Sequence, residues 1–338
     1  MDLTPDPILI QIGPLPLYWY GICYALGLFA AYQVIVSEAR RHYLDAGLVA
    51  NGIIVVAVAA LVGGRLYHVV DRWDLYRDDL LTIVLPPYTG LGVYGGIALG
   101  TIVGILYIRR LHQPLARWMD VIAPGLFVMQ AIGRWGNFFN QELYGPLTGL
   151  PWGIPIDCAH RVEPYLCPPA GSTAVDATFQ PLFLYESISG ILGALFLIWL
   201  GRRFTHRTRP GDLFLVFLIW YGSVRLALET LRVGNWTFQD VPVASIISIA
   251  LIAGAALLLV MRHRRPGLAT ADIEAPLRDI AEGEAADKAV ADAKAEADLW
   301  EDLGSESEPA PAPDPEPWSE PELESDRDTT ADREPAPE

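Results

Sequence analysis

The chain has 338 residues, 52% of them hydrophobic, and a formal net charge of −16, with a mean hydropathy of +0.28. Most of the charge lies at one end: residues 266–338 hold 23 Asp/Glu and 5 Lys/Arg out of 40 and 24, leaving 17 acidic and 19 basic residues in 1–265. An apolar, nearly neutral body with an acidic tail points to a membrane protein and offers no basic surface for nucleic acid, and three cysteines without a CxxC pair exclude a zinc or redox motif, so no metal and no cofactor are expected.

The opening MDLTPDPILIQIGPLPLYWYG carries acids and prolines in place of a basic n-region, so the first long apolar run reads as a retained span. Seven apolar stretches follow, near 15–36, 48–70, 88–108, 118–137, 181–200, 211–231 and 241–261, the fourth and sixth interrupted by polar residues. Each approaches the roughly 20 residues that cross a bilayer. The runs are continuous rather than alternating, which makes them helices, the form that satisfies its own backbone in lipid. The expected fold is an all-α polytopic membrane protein of seven transmembrane helices over residues 1–265.

Arginines set the orientation. The connections after spans one, three, five and seven carry Arg40, Arg41, Arg109, Arg110, Arg117, Arg202, Arg203, Arg207, Arg209, Arg262, Arg264 and Arg265, whereas the opposite loops carry Arg72, Arg77, Arg161 and little else. The positive-inside rule then places the N-terminus outside and the C-terminus in the cytoplasm. Cys158 and Cys167 lie in the long outer loop 146–179, an oxidising location where they are expected to pair as a disulfide. Cys23, inside the first span, reads as a small packing residue. The tail, 266–338, has too little apolar surface to offset chain entropy and is expected to be disordered, with a short helix across Ala281 to Leu299 where Ala, Glu and Lys dominate.

Given that orientation, polar residues of six spans share one depth near the outer face. They are Tyr20, Arg65, Tyr94, then Arg134, Asn137, Asn140 and Glu142, then Tyr185 and Glu186, then Tyr221, Arg225, Glu229 and Arg232. Residues 221, 225, 229 and 232 fall within an arc of roughly 80° at about 100° per residue, so span six carries Tyr, Arg, Glu and Arg on one stripe. Charges on such a stripe are costly against lipid and belong in the bundle interior or a wet cavity. Arg65 and Arg232 read equally well as residues snorkelling to the headgroups. Arg134 and Arg225, at one depth with few carboxylates, suit an anionic ligand, because a guanidinium donates two hydrogen bonds at once and stays charged. The glycines of GGR (63–65) and GLGVYGG (90–96) allow either close helix packing or close approach of a ligand.

The segment GRWGNFFNQELYG resembles the signature GRxGNFxNxExxG of prolipoprotein diacylglyceryl transferases at every fixed position: Gly133, Arg134, Gly136, Asn137, Phe138, Asn140, Glu142 and Gly145. The resemblance extends through IGPLPLYWYG, GGR, DVIAP, QPLFLYE and YGSVRLALETLR, over most of residues 8–262. It implies a seven-span enzyme of the bacterial plasma membrane, its site toward the outer leaflet. Such an enzyme moves the diacylglyceryl group of phosphatidylglycerol to the lipobox cysteine of preprolipoprotein signal peptides and releases glycerol 1-phosphate. Its partners would be that lipid, those signal peptides and the surrounding membrane lipids. The nucleophile belongs to the substrate, which accords with the lack of a Ser/His/Asp set.

The resemblance makes Arg134 the principal phosphatidylglycerol contact, with Asn137 and Arg225 also essential; Tyr20, Glu229 and Tyr94 complete the candidate catalytic set on their chemistry and depth. Asn140, Glu142, Gly145 and Tyr221 join Arg134, Asn137 and Arg225 in binding phosphatidylglycerol. Two positions depart from the family: Tyr94 and Gln180 stand where histidine is common. A tyrosine near pKa 10 is a poor base at neutral pH, so a carboxylate or water is the alternative proton acceptor. His68 is a further candidate, read more readily as interfacial. The rival readings are an anion or lipid transporter with an arginine-lined outer-leaflet site, and a lipid-binding scaffold.

Overall fold

A computed structural model describes residues 5–13, 15–83, 90–167, 177–232, 237–239 and 241–305. The chain divides into two units, Met1–Ala281 and Glu282–Glu338. In the first, a hairpin of β1 (Ile8–Ile12) and β2 (Leu15–Tyr18) leads into α1 (Trp19–Arg41), followed by α2 (Leu48–Asp71), α3 (Val93–Arg110), α4 (Leu115–Phe139), α5 (Leu182–Arg203), α6 (Asp212–Glu229) and α7 (Val243–Arg264). Two short antiparallel pairs, β3 (Ile154–Pro155) with β4 (Thr178–Phe179) and β5 (Thr237–Phe238) with β6 (Val241–Pro242), lie in the connections.

Six helices among the described residues, α1 to α5 and α7, are long and apolar enough to cross a membrane. The protein is therefore a multi-pass membrane protein. The sixth expected span, α6, has 18 residues like α3 but carries three charged residues, Asp212, Arg225 and Glu229, where α3 carries only Arg109 and Arg110. Leu61, Ile97, Leu195 and Leu258 are exposed, as side chains facing lipid would be.

The helices pack mainly as α1 on α4, α2 on α3, α4 on α5 and α6 on α7, with α4 also touching α6. Ala31, Ile35, Trp118 and Val121 fill the α1–α4 seam, while Ala123, Phe127, Ala194, Leu197 and Phe217 fill the space between α4, α5 and α6. Glycine makes the α2–α3 approach possible: a Cβ on Gly63 would lie 2.4 Å from the Gly95 carbonyl oxygen, and the Gly92 amide donates to the Gly64 carbonyl at 2.8 Å. Of the two readings of these glycines, the structure realises helix packing. One end of the bundle collects Arg40, Arg41, Arg109, Arg110, Arg202, Arg203, Arg262 and Arg264 in the last turns of α1, α3, α5 and α7. There Asp120 of α4 accepts the Gly211 and Phe214 amides at 2.6 and 3.0 Å, satisfying two of the free N–H groups that open α6.

Beyond α7 the structure differs from the expected disordered tail. A helix, α8, runs from Thr270 to Ser305 and takes in the helix expected across Ala281 to Leu299, and the first compact unit extends to Ala281. Its start is held by specific bonds. The Thr270 amide donates to Thr208 at 2.8 Å and the Ala271 amide to Thr205 at 3.1 Å. Glu274 pairs with His42, and Arg117 lies 3.8 Å from the same carboxylate oxygen. Composition could not reveal these partners, because they come from α1, α4 and the α5–α6 turn. Residues 282–296 are exposed, and residues 306–338 of the expected tail lie outside the described residues.

Candidate active site

The site begins where α4 stops. The Asn140 amide donates to Gly136 and the Glu142 amide to Asn137, each at 3.0 Å. Gln141 and Leu143 adopt φ of +53° and +56°. That left-handed backbone costs about 1–3 kcal/mol for a residue other than glycine. The sharp reversal folds Glu142 back over the helix end, so that the buried Asn137 donates its amide to Glu142 Oε1 at 2.6 Å and accepts from Arg134 at 3.4 Å.

From Arg134 the network crosses to α5 and α6. Its Nε pairs with Glu186 Oε2, and the other oxygen of Glu186 lies 3.8 Å from Arg225 NH1. Arg225 NH2 in turn meets Glu229 Oε2 at 2.7 Å. Glu186 and Glu229 are buried, so each carboxylate has exchanged water for guanidinium contacts. A pair of this kind is costly to form but destabilising by about 3–5 kcal/mol to break from one side. Burial, with the Arg225 charge close by, holds the Arg232 guanidinium below its ordinary pKa.

α1 supplies the adjoining wall. Tyr20 stacks on Tyr24 with centroids 4.8 Å apart, and a Cβ on Gly136 would lie 2.9 Å from the Tyr20 ring. Glycine at 136 thus lets Tyr20 reach the turn. Pro16, Leu17, Tyr18, Tyr20, Gly21 and Asn140 line an open, largely apolar groove of about 460 Å³ that reaches this edge. A small cap covers the turn. Tyr144, Ile156 and Phe179 form its core, a disulfide joins Cys158 to Cys167 with Cα atoms 5.4 Å apart, and the Gly145 amide donates to Gln180 at 2.8 Å. A Cβ at 145 would lie 3.1 Å from both the Gln180 side chain and the Leu231 carbonyl, so this glycine works through backbone packing.

A family model for prolipoprotein diacylglyceryl transferase matches residues 7–261. The chain belongs to that family. Among its relatives, phosphatidylglycerol–prolipoprotein diacylglyceryl transferase 2 of Streptomyces coelicolor is 38% identical over 281 residues, which cover 79% of this chain and 84% of that one. The corresponding transferase of Bifidobacterium longum is 36% identical over 233 residues, covering 67% and 74%. That of Streptococcus uberis is 34% identical over 266 residues, covering 78% and 97%.

In this diacylglyceryl transferase family member, the residues singled out from sequence separate into groups. Arg134, Asn137, Glu142, Arg225 and Glu229 share one connected network, with Tyr20 and Asn140 on the edge of the groove beside it. Tyr221 packs in the apolar interior, its ring 6.1 Å from Phe217. Tyr94 opens α3 and is tilted against Tyr67 of α2 at 6.2 Å, whereas the ion-pair chain runs through α4, α5 and α6. Arg65 donates to the carbonyls of Ile83 and Thr82 at 3.0 and 2.8 Å and lies over the Tyr76 ring, so it fastens the α2–α3 connection. His68 packs on Tyr76 beside Gly90. Glu186 is the hub of this network: its sequence position groups it with the polar residues of the other spans, but only the fold shows it between two arginines.

Proposed function

We propose that this protein transfers the diacylglyceryl group of phosphatidylglycerol to the cysteine thiol of a lipobox-bearing signal peptide. Family membership supports the reaction class. The observation that carries the reading here is the bridging of Arg134 and Arg225 by one buried carboxylate beside an apolar groove. In this reading the peptide sulfur bonds to the C3 carbon of the diacylglyceryl group as the C3–O bond to phosphate breaks. The bond's electron pair leaves on glycerol 1-phosphate. Negative charge grows on the departing phosphate, and guanidinium groups held in place before the reaction stabilise that charge more than the ground state.

Glu186 and Glu229 keep the two arginines in place, and Asn137 joins Arg134 to Glu142. Glu142 is exposed and has no arginine partner among the described residues, which makes it the carboxylate best suited to receive the thiol proton. Tyr94, packed with Tyr67, serves the α2–α3 wall. We assign the site to the outer leaflet of the bacterial plasma membrane, with α6 as the seventh crossing, the N-terminus outside and the C-terminus cytoplasmic. The collection of arginines at the opposite end of the bundle supports this orientation.

The test is transfer of acyl-labelled phosphatidylglycerol to a lipobox peptide by the purified protein. Label on the peptide cysteine is expected, with none on a serine peptide and a loss of at least about 100-fold in Arg134→Ala and Arg225→Ala. Folded wild-type protein that binds the lipid but never labels the peptide would leave a transporter or scaffold as the better reading.

A further inference from the structure

Between Asn140 and Glu142 lies a residue that the family signature leaves open. Gln141 is almost fully buried and holds φ of +53°. Its side chain makes three hydrogen bonds to two distant segments. Nε2 donates to Asp157 Oδ2 at 2.7 Å and to the Pro5 carbonyl at 3.2 Å, and Oε1 accepts the Asp157 amide at 2.7 Å. The Pro5 segment precedes the β1–β2 hairpin that walls the groove; Asp157 enters the disulfide-closed loop of the cap. The next residue, Glu142, is the one whose carboxylate accepts from Asn137, which in turn accepts from Arg134.

We propose that Gln141 is a positioning residue for the transfer reaction: its paired hydrogen bonds with Asp157 hold the reversed turn that keeps Glu142 on Asn137 and Arg134. The inference rests on the transferase reading. Its physical basis is that a left-handed, non-glycine backbone persists only where surrounding contacts impose it, and the buried amide of Gln141 is that contact. A small displacement of a reacting group is enough to slow a reaction by about 100-fold.

The test is a set of transfer kinetics with phosphatidylglycerol and a lipobox peptide, normalised to folded protein. Q141E places a carboxylate against Asp157 and should lower kcat by about 10- to 100-fold, with KM for the lipid changed less than about threefold. Adding D157N restores a donor opposite the new carboxylate and should recover most of that loss. In an E142Q background, Q141E should cost less than about threefold, because its effect passes through Glu142. A fold defect would instead multiply with E142Q. The proposal is overturned by Q141E within twofold of wild type, by no recovery with D157N, or by an undiminished factor in E142Q. Should Q141E fail to accumulate, D157A takes its place in the same cycle, and wild-type kcat in D157A overturns the proposal. Absence of transfer by the wild type would count against the transferase reading instead.

Discussion

Replacing Glu186 by Gln isolates the bridge between the two arginines, since the side chain keeps its shape and loses its charge. Glu186 pairs directly with Arg134 and lies 3.8 Å from Arg225, and its side chain is 7% exposed. At an effective dielectric constant near 20, a unit pair at that longer distance is worth about 4 kcal/mol before desolvation. Loss of one partner from a buried pair costs about 3–5 kcal/mol net. Glu186→Gln should therefore destabilise the protein by about that amount and lower kcat by about 100-fold, because the guanidinium groups lose their shared anchor. The lipid changes the outcome in a defined direction. A phosphate bound between Arg134 and Arg225 supplies the missing negative charge, so the stability loss should be smaller with phosphatidylglycerol than with a zwitterionic lipid, and KM for phosphatidylglycerol should not rise. Thermal unfolding in detergent with each lipid, together with transfer kinetics, measures both quantities. Wild-type stability in either lipid with kcat within threefold of wild type would refute the bridging argument.

Three further changes probe the scaffold. Gly136→Ala sets a methyl group 2.9 Å from the Tyr20 ring and 3.3 Å from its Cα. It should separate α1 from α4 at a cost of about 1–3 kcal/mol and reduce transfer, both measurable on purified protein. Asp120→Ala leaves the Gly211 and Phe214 amides without their carboxylate; a loss of about 2–4 kcal/mol in thermal unfolding should accompany near-normal transfer at low temperature, since Asp120 is at the far end of the bundle from Arg134. Truncation after residue 265 removes Thr270 and Glu274 from Thr208, His42 and Arg117. It should lower the unfolding temperature clearly more than truncation after residue 281, and equal temperatures for the two truncated proteins would contradict a structural role for the start of α8.

The parts legible in sequence share a physical origin in local composition. Hydropathy marks where a helix can cross lipid, so α1 to α5 and α7 were visible to within a few residues. The 3.6-residue period places Arg225 and Glu229 on one stripe of α6, and the structure shows them paired at 2.7 Å. Arg134, Asn137 and Glu142 belong to one short stretch of chain at the end of α4, so their mutual contacts follow from a signature read on a single segment. Tertiary structure decided the rest, because it depends on the rotation and register of helices far apart in sequence. Glu186 bridges Arg134 and Arg225 only after α4, α5 and α6 are packed. Tyr94 faces Tyr67 because Gly63 and Gly95 set the closeness of α2 and α3. Gln141 reaches Asp157 and Pro5 only when the cap and the N-terminal segment close over the same turn. A charged residue's depth is written in its own span, whereas its partner is chosen by packing, and at this site packing places one carboxylate between two arginines.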